Sequence, residues 1–77
     1  MRLEHSLHWK QKRFIRKEIT DDIIEYALYH SSVMRDKKWP DALNAICRIP
    51  SVGRTIKIVY RSSGKETFII ITAYWLD

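Results

Sequence analysis

The spacing of hydrophobic positions changes along this chain from a helical period to a period of two near Ser31. From Leu3 to about Lys17 the pattern predicts a helix. At about 100° per residue Leu3, Leu7 and Phe14 fall on one side, with His5, His8, Trp9, Lys12 and Arg16 on the other. Such a helix buries a narrow apolar stripe and shows a basic, imidazole-bearing one, and Lys10 snorkels at the apolar edge. Thr20 is an N-cap residue, and Asp21 and Asp22 then sit in a first turn where negative charge suits the helix dipole. They predict a second helix from about Asp21 to Tyr29 that buries Ile23, Ile24, Ala27 and Leu28. Ser31-Ser32 breaks it.

Beyond that point the elements are strands. Val33 to Lys37 reads as a short one, ended where Trp39-Pro40 interrupts pairing. Leu43 to Ile49 alternates, with Leu43, Ala45, Cys47 and Ile49 inward and Asn44, Ile46 and Arg48 outward, although Asp41-Ala42-Leu43 also fits the start of a short helix. Pro50-Ser51-Val52-Gly53 is a turn. Thr55 to Arg61 places Ile56, Ile58 and Tyr60 on one face and Lys57, Val59 and Arg61 on the other. The last strand, Thr67 to Trp75, is rich in β-branched and aromatic residues and lacks Gly and Pro. Its alternate positions separate Ile69, Ile71, Ala73 and Trp75 from Phe68, Ile70, Thr72 and Tyr74. A two-residue hairpin at Ser63-Gly64 pairs Ser62 with Lys65 and Arg61 with Glu66. It sets Ile58 beside Ile69 and Ile56 beside Ile71 in the core, with Val59 beside Phe68 and Lys57 beside Ile70 outside. The expected architecture is α+β, a single domain over residues 1–77 with two N-terminal helices packed on a three- to four-stranded antiparallel sheet.

The chain has 77 residues, near the size at which one hydrophobic core is only marginally stabilising, so a homodimer or a bound partner fits the length. Its single cysteine, Cys47, excludes an internal disulfide and paired-thiolate zinc sites, and points to a reducing, cytoplasmic setting. No apolar run approaches the roughly 20 residues that span a bilayer, and no membrane partner is expected. Charge sharpens the picture. The net charge is +5; residues 1–17 carry Arg2, Lys10, Lys12, Arg13, Arg16 and Lys17 against Glu4 alone, whereas residues 18–25 carry four acids and no base. A basic surface on a small domain favours nucleic acid or an acidic protein.

On the expected open face, Arg48, Lys57 and Arg61 supply cations for phosphate, while Phe68, Thr72 and Tyr74 supply rings and a hydroxyl. Val59, Phe68 and Ile70 on the same face equally fit a protein partner or a second copy. His5 and His8 share a helical side with Lys12 and Arg16, the set that metal-independent RNA cleavage requires: proton transfer by imidazole, charge stabilisation by cations. Two ordinary surface histidines give the same pattern. A metal site is not expected, because Glu4, His5 and His8 find no further ligand cluster among basic neighbours. With Gly53 and Gly64 as the sole glycines there is no phosphate-binding glycine loop, and no cofactor is expected.

His5-Ser6-Leu7 followed by basic residues, Ile19-Thr20-Asp21-Asp22-Ile23-Ile24-Glu25-Tyr26-Ala27-Leu28, Gly53 to Tyr60, and Ile71-Thr72-Ala73-Tyr74 together resemble a family of small prokaryotic domains of unknown function. That family is similar in layout to the RelE/ParE and BrnT-type toxins of toxin–antitoxin pairs. The resemblance implies a cytoplasmic, metal-independent endoribonuclease acting on RNA, including ribosome-bound mRNA, with an acidic antitoxin covering the same face. His8, Lys12 and Arg16 meet its His–basic–basic steps, whereas alignment on Ser6-Leu7 selects His5 and Arg13. A non-catalytic interaction or dimerisation module is the alternative.

Overall fold

The computed structural model describes residues 1–38 and 41–77, and the interruption of pairing expected at Trp39-Pro40 lies outside the described residues. The chain forms strand β1 (Arg2–His5), helices α1 (Leu7–Lys12) and α2 (Asp21–His30), and strands β2 (Ser32–Arg35), β3 (Leu43–Ile49), β4 (Arg54–Ser63) and β5 (Thr67–Trp75). They make one mixed sheet in the order β1-β5-β4-β3-β2, parallel at β1–β5 and antiparallel elsewhere. This corrects the expected fold of two packed N-terminal helices on an antiparallel sheet. The first of those helices is replaced over its opening residues by β1, whose Arg2 to His5 pair with Thr67 to Ile70. Pairing across most of the chain outweighs the local helical spacing there.

What remains of the first helix is six residues long. Ser6 caps it by accepting from the Trp9 N–H. Its buried side is Trp9, fully enclosed, whereas Leu7 and Phe14, expected to be buried, are about three-quarters exposed. α2 follows its expected course, with the Thr20 side chain accepting from Ile23 N–H and Asp21 and Asp22 in the first turn. It lies against β3, burying Ile24 and Ala27. The core holds Trp9, Ile19, Ile24, Ala27, Ala45, Cys47, Ile49, Ile56, Ile58, Tyr60, Ile70 and Ala73. Burial raises the pKa of the Cys47 thiol, which behaves as a small core residue.

The β4–β5 register also differs from the expectation. Ser63 pairs with Thr67, leaving Gly64-Lys65-Glu66 as the loop, with Gly64 at φ +72°. Farther along, Tyr60 pairs with Ile70 and Val59 with Thr72, so Ile71 is an extra residue in β5. The longer loop moves the pairing by an odd number of residues, which exchanges the faces of β5 near the turn. Phe68 and Ile70 therefore join the core side and Ile69 leaves it. The bulge restores the parity, so Ala73 and Trp75 stay on the core side and Thr72 and Tyr74 on the other. Phe68, expected on the open face, packs edge-to-face against Tyr60 at 5.6 Å.

Candidate nucleic-acid interface

The face of the sheet turned away from α2 is set by the register. Ile46, Lys57 and Tyr74 form one row across β3, β4 and β5, and Asn44, Val59 and Thr72 form the next. Arg48 stands at one end of this surface and Arg61, opposite Ile69, at the other, both exposed. These positions on β3, β4 and β5 carry three cations and no acid; Glu4, on β1 beside Ile69, is an acid at the border of the same face, while Asp21, Asp22 and Glu25 lie on α2 across the sheet.

Arg16 reaches this face from the segment joining the helices. Trp9 before it and Ile19 after it are both buried, and they pin the segment beside β5. There Arg16 Nη1 donates to the Ala73 carbonyl at 3.1 Å and to Thr72 Oγ1 at 3.3 Å. Two cations lie over the Tyr74 ring, the Arg16 guanidinium at 5.9 Å and Lys57 Nζ at 5.8 Å from its centroid. On the other side of Lys57 a shallow groove of about 340 Å³ is lined by Met34, Arg35, Asp36, Lys37, Lys38, Asn44, Ile46 and Lys57. A strip of positive charge thus runs from Arg16 past Tyr74 and Lys57 to Lys37 and Lys38. Sequence reasoning missed the last two; the Lys37-Lys38 pair following a short edge strand was the available signal.

The four residues expected to act together are placed apart. His5 pairs with Ile70 and lies on the core side of β1. Its side chain is only 16% exposed, and its Nε2 is 3.5 Å from Asp21 Oδ1, which also accepts from Arg13 Nη2 at 3.0 Å. Desolvation, reinforced by the Arg13 charge, lowers the His5 pKa below its ordinary value, against the opposing pull of Asp21. His8 is exposed on α1, Lys12 is half-buried at its end, and Arg16 engages the opposite side of the sheet. The structure therefore brings Arg16, Lys57, Thr72 and Tyr74 together, with Arg48 and Arg61 flanking them, and separates His5 from that group. Arg13 was selected beside His5 by the alignment on Ser6-Leu7, whereas Asp21, which contacts both, was read only as a helix-start residue.

Among the described residues no three His, Cys, Asp or Glu side chains converge as metal ligands, and no helix is long and apolar enough to cross a membrane. Compared with protein-family models, with curated proteins and with solved structures, the chain finds no match.

Proposed function

We propose that this protein binds single-stranded RNA across the open face of its sheet. The observation that carries the reading is Tyr74 with Arg16 and Lys57 over its ring, on a surface whose central strands present cations and no acids. A ring offers an unpaired base a stacking platform, and the long Arg16 and Lys57 side chains swing from over the ring to meet the flanking phosphates as the base takes their place. The rival reading, an apolar docking face for a protein, loses its main support. Of Val59, Phe68 and Ile70, the last two belong to the core side and Val59 is 4% exposed. Binding, rather than cleavage, is proposed because the shielded His5 is turned from this surface.

Fluorescence anisotropy of a labelled single-stranded RNA tests the reading. Affinity is expected to fall steeply as salt rises, because phosphate neutralisation releases counterions. Lys57→Glu should weaken binding and flatten that dependence, and Tyr74→Ala should cost about 1–3 kcal/mol. Binding indifferent to salt and to both substitutions would refute the proposal.

A further inference from the structure

The two borders of the sheet are finished differently. Along β5, past the end of β1, the outward carbonyls are occupied: Ser6 Oγ donates to Ile71 O at 3.0 Å and Arg16 to Ala73 O at 3.1 Å. Along β2, among the described residues, no strand lies beyond. The register identifies the backbone groups left there. Asp36 N–H donates to Ala42 O at 3.0 Å. Antiparallel alternation then makes Met34–Asn44 and Ser32–Ile46 the pairs that exchange hydrogen bonds. Val33 and Arg35 consequently aim their N–H and C=O groups out of the sheet. Val33 and Met34 are 50% and 56% exposed on opposite faces, and Tyr29, shortly before them at the end of α2, is 68% exposed.

We infer that β2 pairs antiparallel with β2 of a second copy of this chain, joining the two sheets edge to edge. An exposed border with apolar side chains on both faces is a template for such pairing, and a two-fold axis makes it closed. That axis stands perpendicular to the sheet, so facing residues come from the same side of each copy. Three centres are available. Centring on Arg35 opposes two guanidiniums, and centring on Val33 spends half its hydrogen bonds on Ser31, outside the strand. Centring on Met34 sets Val33 opposite Arg35 twice, uses every outward group of both residues, and brings Met34 against its own copy with no like charges opposed. The same axis keeps both open faces on one side of the joined sheet. A four-residue strand makes a small contact, so the dimer is weak and concentration-dependent.

Cross-linking and hydrodynamics, both without RNA, separate this inference from the RNA-binding reading. In a Cys47→Ala background, Met34→Cys faces itself across a non-hydrogen-bonded pair, with Cβ atoms about 4.5–5.5 Å apart. It should form a covalent dimer under mild oxidation, while Val33→Cys and Arg35→Cys should form far less. Sedimentation of the unaltered protein should show mass rising towards twice the monomer with concentration. Val33→Pro, which deletes an outward donor, should abolish that rise with an unchanged far-ultraviolet circular dichroism spectrum. Should proline disturb the fold, Met34→Lys opposes two ammonium groups at the axis without touching the backbone, and must give the same loss. Monomer mass at the highest attainable concentration, or equal cross-linking from all three cysteine positions, would overturn the inference.

Discussion

On the α2 side of the sheet Ile56, Ile58, Ile70 and Ala73 are completely enclosed, whereas on the other side Val59 and Asn44 are buried among exposed or half-exposed residues that include Arg48, Lys57 and Arg61. One set of strands supplies both surfaces, and β5 shows how. Without the extra residue at Ile71, the pairing that puts Phe68 and Ile70 in the core would also turn Thr72 and Tyr74 inward and Ala73 and Trp75 outward. The bulge lets a single strand contribute its core residues on both sides of a parity change. It also gives the open face Thr72 and Tyr74 at the end of the strand nearest Arg16.

The contrast is broken most severely through the covered face. Trp9→Ala should cost about 3–5 kcal/mol, read from the urea midpoint, because a fully enclosed indole leaves a cavity that a small domain cannot close. RNA affinity per folded molecule should be unchanged. Arg16→Met reverses that outcome. Losing the guanidinium costs roughly 1 kcal/mol of stability, since water can replace it on the Ala73 carbonyl. The same variant should weaken RNA binding measurably. The smallest effect concerns His5, on the covered side at the β1 border. Its folded pKa lies below the ordinary 6.5, so the unfolded chain takes up the proton more readily. Stability contributed at this residue is present at neutral pH and lost as pH falls through 6.5 towards the folded value. His5→Asn should therefore reduce the drop in urea midpoint between about pH 7.5 and about pH 5.5.

Elements with local determinants were legible in the sequence. Thr20, Asp21 and Asp22 mark the start of α2 through groups within one turn of it, and the alternation from Leu43 to Ile49 gives β3 its bounds and inward face. β1 was not legible, because a four-residue segment with helical spacing becomes a strand only when β5 is beside it. For the site, Lys57, Thr72 and Tyr74 could be placed because they lie beyond the bulge, where the displacement from the expected register is even. Phe68 could not, since its face depends on a loop one residue longer than the Ser63-Gly64 signal suggests. His5 and Arg16 shared an expected helical side that β1 and the short α1 removed.

The parallel pairing of β1 with β5 also governs when this protein can fold. Ser6 and Ile71, joined by a hydrogen bond, are 65 residues apart in the chain. Closing so long a loop yields nothing until the last strand exists. During synthesis β1 therefore leaves the ribosome with its hydrogen-bonding groups unmatched and waits through α1, α2, β2, β3 and β4 before it finds β5. The sheet is thus completed only after β5 has been made, whatever order the elements between β1 and β5 adopt among themselves.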